Sequence, residues 1–293
     1  MFTLSLSPAL ALALALALTA PTAFAAQALP EEEIVIQGER IGVRARHYVD
    51  QLLAAPIHAQ FGAYSDPICA KVIGMPANLA QEVVTRIERV ARESKIDVAA
   101  AGCFPNLMVV VVDDKRAFIE GLRKSDPAYL YGISLAERRR LADSGTSYAA
   151  WQIRELVGGD GMPLRVDQDG VARLFTPTPA SRLRKNVRPR VLGSVIVLEK
   201  AALTDMTTLQ VADFALVRAM MPAASSGRTP PESSVLSLFN PGVTAVDGPQ
   251  SLTSWDLAFL KSLRAMPLDQ SASAQRNVIR MQMVREIART AQQ

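Results

Sequence analysis

One uninterrupted apolar run constrains the fold of this chain more than any other feature. Residues Leu107–Val112 read LMVVVV, without a polar residue. Such a run is typical of a strand that is buried on both faces of a sheet. Another strand is predicted at Pro67–Met75, and the segment between the two has helical periodicity, with one apolar face at Leu79, Val83, Ile87 and Val90. Strand, helix and strand in this order predict a βαβ-type unit within a mixed α/β (α+β) fold.

The chain has two cysteines, Cys69 and Cys103, and they flank this predicted helix. In an oxidising compartment an isolated pair is most simply one disulfide, which would tie the two strands together. In the chain-entropy model such a bridge stabilises the fold by roughly 3–4 kcal/mol. The alternative is a redox-active or nucleophilic cysteine. That role would need a nearby base and usually a CxxC spacing, and the sequence has neither.

The N-terminus has the pattern of a secretory leader. Residues 2–25 carry no charge, Ala9–Leu18 form a Leu/Ala core, and Ala23-Phe24-Ala25 is a small-x-small cleavage pattern. We therefore predict a signal peptide at residues 1–25, cleavage after Ala25 and a periplasmic or secreted protein that is not transmembrane after cleavage. Because the leader has no Lys or Arg, an uncleaved anchor is the alternative, although its apolar core is shorter than the roughly 20 residues of a bilayer span.

Residues 26–45 are predicted as a flexible tail, with a helix following from about Ala45. Residues 31–40 (EEEIVIQGER) resemble the short β-prone segment at the mature N-terminus of TonB-dependent outer-membrane receptors. That resemblance implies a strand added to the sheet of a partner, and a solvated tail is the alternative. Residues 46–293 are predicted as a single globular domain, with a subdivision near 145–190 as the alternative.

Further elements follow from periodicity and from turn residues. A side-chain cap at Asn78 begins the helix that ends near Glu93, and Asp169-Gly170 closes a hairpin over 166–171. The remaining predicted elements are a strand at Val191–Leu198 and helices at Lys115–Lys124, Leu135–Asp143, Thr207–Met221, Thr253–Met266 and from Ser271 onward.

Composition argues against nucleic acid as a partner. Aromatic residues make up 5% of the chain, which is low for a platform that stacks bases or sugars, and the net charge of +4 accompanies no nucleic-acid motif. Five cations in the loop 182–190 form a candidate contact for anionic lipid or another polyanion, with a solvated loop as the alternative; they are Arg182, Arg184, Lys185, Arg188 and Arg190.

Motifs of common enzymes do not occur. The chain contains no GxSxG, no GxxxxGK[ST] and no GxGxxG, and His47 and His58 are its two histidines. Two histidines eleven positions apart do not form a metal-ligand or triad pattern, so no catalytic residue, metal or cofactor is assigned. Asp113-Asp114 follows a buried strand, where sites often lie, but a helix cap at Asp114 is the simpler interpretation. Asp167 and Asp169 are interpreted as turn residues.

The C-terminal third resembles a known scaffold. Its segments are Val191–Leu198, ADFALVRAMMP (212–222), SVLSLF (234–239) and SLTSWDLAFLKSLRAM (251–266). In order and spacing they are similar to the end of zincin-like metallopeptidase folds, and especially to secreted proteobacterial domains of unknown function related to them. There an edge strand, an active-site helix, a Ser-Ile-Met-like turn and a Leu-Thr-x-x-Asp helix follow one another. The resemblance covers about 75 residues and implies a zincin-like scaffold with a small sheet and C-terminal helices.

The metal-binding pattern of that family is missing. Asp213 stands where the first histidine of His-Glu-x-x-His would be, Phe214 replaces the glutamate, and Val217 replaces the second histidine. The resemblance therefore implies a metal-free pseudoenzyme, with a candidate ligand cleft beside these three residues.

The expected function is a non-catalytic binding or interaction protein whose partner is an envelope protein or anionic lipid. The alternatives are a hydrolase that uses paired carboxylates, from Asp113, Asp114 or Asp213, and a module that binds anionic surfaces of the envelope.

Overall fold

The computed structural model describes residues 31–53, 59–174, 181, 184–221 and 229–291. The predicted leader at 1–25, the first residues of the predicted tail, His58 and Arg182 lie outside these ranges. Within them, the chain forms seven α-helices and seven β-strands. The helices are α1 (Glu31–Leu52), α2 (Ala77–Glu93), α3 (Lys115–Ser125), α4 (Leu135–Asp143), α5 (Thr208–Met220), α6 (Ser254–Leu263) and α7 (Ala272–Thr290). The strands are β1 (Ala63–Tyr64), β2 (Ala70–Ile73), β3 (Leu107–Val112), β4 (Tyr148–Gly158), β5 (Arg165–Val166), β6 (Ala172–Arg173) and β7 (Val187–Glu199).

The longest strand, β7, organises the main sheet. Strand β3 pairs with it in parallel, and β2 pairs in parallel with β3. The short β1 also runs parallel to β7, at Arg190 and Val191. Strand β4 runs antiparallel to β7 along almost its whole length. Strands β5 and β6 form a separate two-stranded hairpin.

Helices cover both faces of this sheet. Val109 and Val111 of β3 contact a large core that also contains α1, α2, α5, α6 and α7. Val110 of β3 and Val195 of β7 contact a smaller core on the opposite face, beneath α3 and α4. Side chains alternate between the two faces of a strand, and both faces are buried here, which explains the continuous apolar run of β3.

The predicted mixed α/β class and the disulfide are confirmed. Cys69 and Cys103 are bonded, with their Cα atoms 6.1 Å apart. The bridge lies where β2 and β3 begin, so it joins the amino-terminal ends of two adjacent parallel strands. The predicted strand at Leu107–Val112 and the helix that follows it are also confirmed, and the Asp114 side chain caps that helix by accepting from the amide of Ala117 at 3.0 Å.

Four sequence-based assignments differ from the structure. Helix α1 begins at Glu31, so residues 31–40 are helical rather than a β-prone segment, and the helix begins earlier than the predicted position near Ala45. Helix α2 is capped at Pro76 rather than Asn78, without a side-chain hydrogen bond. Strand β4 was not predicted. The predicted basic loop is partly strand, because Arg188 and Arg190 lie within β7.

The hairpin lies where its turn chemistry placed it. Strands β5 and β6 pair across Asp167–Gly170, and Gly170 adopts a φ of +76°. Asp167 accepts from the backbone amides of Asp169 and Val171, which confirms the turn interpretation of this residue.

None of the described helices combines the length and the apolarity that a membrane crossing requires.

Candidate functional site

The helix that resembles a zincin active-site helix is packed on all sides. Helix α5 begins with a capping box, in which Thr207 accepts from the amide of Gln210 and the Gln210 side chain accepts from the amide of Thr207. Asp213, Phe214 and Val217 are each buried, with at most 1% of their surface exposed. The side chains of these three residues therefore belong to the packed interior. The ligand cleft expected beside them stays a prediction.

Asp213 is a structural connector between three parts of the chain. Its carboxylate accepts two hydrogen bonds from the guanidinium of Arg86 on α2, at 2.7 and 2.8 Å. It also accepts one from the amide of Leu252, ahead of α6, at 2.6 Å. The hydrogen bond to Asp213 is the largest cause of a raised pKa of Arg86, which favours the charged form of this guanidinium. This carboxylate therefore joins α2 and α5 to the chain ahead of α6.

The Leu-Thr-x-x-Asp segment ends in another buried carboxylate, Asp256. Asp256 accepts from the hydroxyls of Tyr48 and Ser234, each at 2.6 Å, and from the amide of Val235 at 2.8 Å. Thr253 adds its hydroxyl and completes a capping box at the start of α6. These donors are neutral, so Asp256 connects α1 and the 3₁₀ helix Val235–Phe239 to α6 without an ion pair. The sequence pattern here marks a structural connection rather than a reactive group.

The other acidic candidates are engaged separately. Asp114 caps α3, whereas Asp213 lies in the core on the opposite face of the sheet. The carboxylates proposed for a hydrolase thus have different partners and lie in different environments. Among the described residues, no group of three or more His, Cys, Asp or Glu side chains is arranged to hold a metal ion.

His47 lies exposed on α1 and lines a cavity of about 290 Å³ next to α6. Tyr48 and Trp255 form part of the cavity wall, and the guanidinium of Arg44 lies 4.8 Å from the centroid of the Trp255 ring. The chain's own arginine therefore already covers the aromatic face that a cationic ligand would use.

The predicted polyanion contact is divided between strand and loop. Arg190 is paired with Glu155 across β7 and β4, and Arg184 lies 3.6 Å from the carboxylate of Asp269. Lys185 is exposed, and its backbone amide donates to the carbonyl of Asp269. Two of the five cations thus have carboxylate partners, and the described members do not form one open cationic surface.

A different cationic site lies between α3 and α4, on the outer side of the smaller core. We call it the arginine groove; it has a volume of about 420 Å³ and is lined by Arg116, Ile119, Glu120, Arg123, Leu135, Arg138, Arg139, Ala142 and Asp143. The α3 residues are spaced by three and four positions, as are those of α4, so each helix contributes one face. The buried side chains of Ile119 and Ala142 form an apolar floor.

The groove has more cationic than anionic groups. Arg116 pairs with Asp143 at 2.7 Å, at the end where α3 begins and α4 ends. Towards the other end, Arg123 and Arg139 are exposed and make no ion pair among the described residues. Nε of Arg138 is buried and has no hydrogen-bond partner in the described part of the chain. A buried donor without an acceptor is costly, so this group has an unmet preference for an anionic or polar acceptor.

No family model, no curated protein and no solved structure matches this chain.

Sequence reasoning missed the groove although a signal was present. A helix was predicted at Leu135–Asp143, but no common face was assigned to its residues Leu135, Arg138, Arg139 and Ala142. The complementary face of α3 lies elsewhere in the sequence, and only packing brings the two together.

Proposed function

We propose that this protein is a non-catalytic binding protein of the cell envelope, and that its arginine groove holds an oxyanion of the ligand. The observation that supports this most directly is the set of uncompensated guanidinium groups. Arg123 and Arg139 are open, and Nε of Arg138 is buried without a partner. Guanidinium groups bind phosphate and carboxylate through paired hydrogen bonds, which favours a ligand with such a group.

The apolar floor adds a preference for the body of the ligand. Ile119 and Ala142 are buried beneath the groove, whereas the Leu135 side chain is 54% exposed along its wall. The carbon chain of a small organic anion would cover part of Leu135 and remove apolar surface from water. The chemistry shared by suitable ligands is thus an oxyanion joined to a short carbon chain, as in a glycerol phosphate.

Location in the envelope rests on two features of the chain. The leader-like residues 1–25 favour export, and the Cys69–Cys103 disulfide suits an oxidising compartment. An envelope protein of this kind would meet phosphorylated solutes and anionic lipid headgroups.

The proposal retains the zincin-like resemblance as a metal-free pseudoenzyme. The buried ion pair of Asp213 supports it, because this residue stands at the position of the first histidine and its carboxylate is already bound by Arg86 and Leu252. Phe214 and Val217 belong to the packed core. Positions that would hold and activate a metal thus serve packing in this chain.

The test compares two sources of phosphate. Protein purified after export, with the disulfide intact, is titrated with glycerol 3-phosphate by calorimetry at low salt. In parallel it is sedimented with phosphatidylcholine vesicles that contain or lack phosphatidylglycerol. We expect binding in at least one arm, and we expect an Arg123→Gln/Arg139→Gln variant to bind about tenfold more weakly or worse, because each lost charged hydrogen bond contributes about 1.5–3 kcal/mol.

The matched control is Arg289→Gln, which removes an exposed arginine from α7, paired with Glu286 and outside the groove. This variant should bind as the wild type does. Binding in the vesicle arm alone would assign the lipid source, and binding of glycerol 3-phosphate alone would assign the soluble one. The proposal is wrong if neither probe binds, or if the double variant binds as tightly as the wild type.

A further inference from the structure

A third cavity lies where the parallel strand β7 ends. We call it the carboxyl-edge pocket; its volume is about 480 Å³. Three segments line it: Gly145–Ser147 after α4, residues 202 and 204–206 after β7, and residues 238–241 and 243–246 around the end of the 3₁₀ helix Val235–Phe239. In α/β sheets, ligands commonly bind outside the carboxyl ends of the strands, so this position is a plausible one for a site on general grounds.

The polar groups of this pocket favour a ligand that donates hydrogen bonds over an anionic ligand. Its lining residues include the carboxylate of Asp205 and contain no Lys, Arg or His. Neither the Asp205 carboxylate nor the Ser147 hydroxyl has a hydrogen-bond partner among the described residues. The side-chain amide of Asn240 donates a hydrogen bond through Nδ2 to the carbonyl of Pro230, so its Oδ1 remains available as an acceptor. The free groups are therefore one charged and several neutral acceptors.

The backbone holds Asp205 in an unusual conformation. Its φ is +65°, in the left-handed region that non-glycine residues seldom occupy. The turn is closed by a hydrogen bond from the amide of Met206 to the carbonyl of Leu203. Glycine is the residue best suited to such a position, so an aspartate here adds a carboxylate where the backbone does not require one. Strained residues of this kind often lie at binding sites.

An aromatic wall faces the same space. The Phe239 ring lies 4.3 Å from the ring of Phe214 and 5.0 Å from that of Tyr148, measured between centroids. Packing against two rings fixes its orientation. Val246, which is 75% exposed, lies at the same pocket. An apolar ligand body can therefore lie against a preformed surface.

We propose that the carboxyl-edge pocket binds a small organic cation, with a primary ammonium group on Asp205 and an apolar or aromatic body against Phe239. An ammonium group supplies three N–H donors, and the carboxylate, the Ser147 hydroxyl and the Asn240 amide oxygen supply the acceptors. A charge-assisted hydrogen bond to Asp205 gives the orientation, and the ring adds apolar contact and a cation–π component. This site is separate from the arginine groove and does not rest on the function proposed for it.

The experiment uses a charged probe and its neutral analogue. The exported, ¹⁵N-labelled protein is titrated with 2-phenylethylammonium chloride and, separately, with 2-phenylethanol, which differs in the terminal group. Saturable chemical-shift changes are expected at the amides of residues 145–147, 204–206 and 238–246 with the ammonium probe. The alcohol should bind about tenfold more weakly, because it lacks the charged partner for Asp205.

Two substitutions separate charge from conformation. Asp205→Asn keeps a residue that tolerates positive φ and removes the charge. It should therefore lower the affinity for the ammonium probe about tenfold or more. Asp205→Gly suits the backbone and removes the carboxylate, so it should keep a thermal midpoint near that of the wild type and lose the same affinity. Asp169→Asn, an exposed carboxylate in the hairpin turn, is the matched control and should change nothing.

The inference is overturned if the alcohol binds as tightly as the ammonium probe, if Asp205→Asn retains full affinity, or if the shifts lie outside the three segments. The groove variant Arg123→Gln/Arg139→Gln should leave binding of the ammonium probe unchanged. Failure of either site can thus be recognised without reference to the other.

Discussion

Helix α4 contributes to two cavities with opposite chemistry. One of its faces lines the arginine groove, and the loop that continues from its last turn lines the carboxyl-edge pocket. The groove has four arginines over an apolar floor, whereas the pocket has an unpaired carboxylate beside an aromatic wall. The difference follows from what lines each cavity. A helical face gathers residues that lie close in sequence, three or four positions apart, while loops bring together single residues from distant parts of the chain.

The comparison also involves the two faces of the sheet. The groove lies over the smaller core, and α5, whose Phe214 packs against Phe239 of the pocket, belongs to the larger one. A perturbation of one core should therefore affect the two cavities unequally. The following predictions are ordered from the largest expected effect to the smallest.

Asp213→Ala should destabilise the fold most. The substitution leaves Arg86, with 18% of its side chain exposed, without its partner and leaves the amide of Leu252 unsatisfied. Breaking a buried pair in this way costs about 3–5 kcal/mol. Urea titration followed by circular dichroism measures this loss. In native conditions the ammonium probe should lose more affinity than glycerol 3-phosphate, and equal losses would show that the two cavities are not separated by the sheet.

Alkaline pH should weaken the larger core. Burial raises the pKa of Tyr48, with the charge of Asp256 as a further cause, and burial also raises the pKa of Tyr64. A raised pKa in the folded state means that the stabilisation is complete below pH 10, the usual tyrosine value, and declines as pH rises beyond it. We expect the free energy of unfolding to fall above pH 10 by up to about 1.4 kcal/mol per pH unit for each tyrosine.

The Tyr48→Phe and Tyr64→Phe variants test the source of this decline. Each should show a shallower loss of stability between about pH 10 and 11 than the wild type. An unchanged slope in both variants would assign the decline to other groups.

Salt should distinguish the two cavities by a smaller amount. Raising sodium chloride from about 50 mM to about 500 mM shortens the screening length from more than 10 Å to less than 8 Å. The groove presents several exposed cations, so its affinity for glycerol 3-phosphate should fall by about fivefold to tenfold, against about twofold for the ammonium probe. Parallel calorimetric titrations at both salt concentrations measure the loss of affinity for each ligand. Equal losses for the two ligands would contradict the difference in charge between the two cavities.

Asp143→Ala should produce the smallest change and should favour binding. Asp143 and Arg116 form an exposed pair, with half or more of each side chain accessible, so its loss should cost less than about 1 kcal/mol. The released Arg116 adds a free guanidinium to the groove, and glycerol 3-phosphate should bind about twofold to threefold more tightly. Weaker binding of this probe would place the oxyanion away from Arg116.

Strand β3 and the disulfide were predicted because their signals are local in sequence. Six apolar residues leave few alternatives to a buried strand, and a chain with two cysteines allows one intramolecular disulfide. Strand β4 was missed because Gln152, Arg154 and Glu155 interrupt its apolar pattern. Its pairing with β7 accommodates them, since Gln152 donates to the carbonyl of Ala219 and Glu155 pairs with Arg190.

The roles of the candidate site residues could not be predicted where their interaction partners lie far away in the sequence. Asp213 was singled out because it stands at the position of the first zincin-like histidine. Arg86 precedes it by 127 positions, so its role as an ion-pair partner had no local signal. Asp205 had no motif at all, because its positive φ and its place beside Phe239 depend on how the loops pack.

The sequence by itself determined the class of fold, the Asp114 helix cap and the disulfide, since each depends on residues within one turn, one strand or one cysteine pair. The tertiary structure decided which of the carboxylates far from their partners in sequence are paired and which are open. The carboxylate of Asp213 lies in a buried ion pair, whereas that of Asp205 is open at a pocket that Phe239 also lines. Each outcome depends on side chains brought together from distant positions, because the energies of burial and pairing act only between groups in contact.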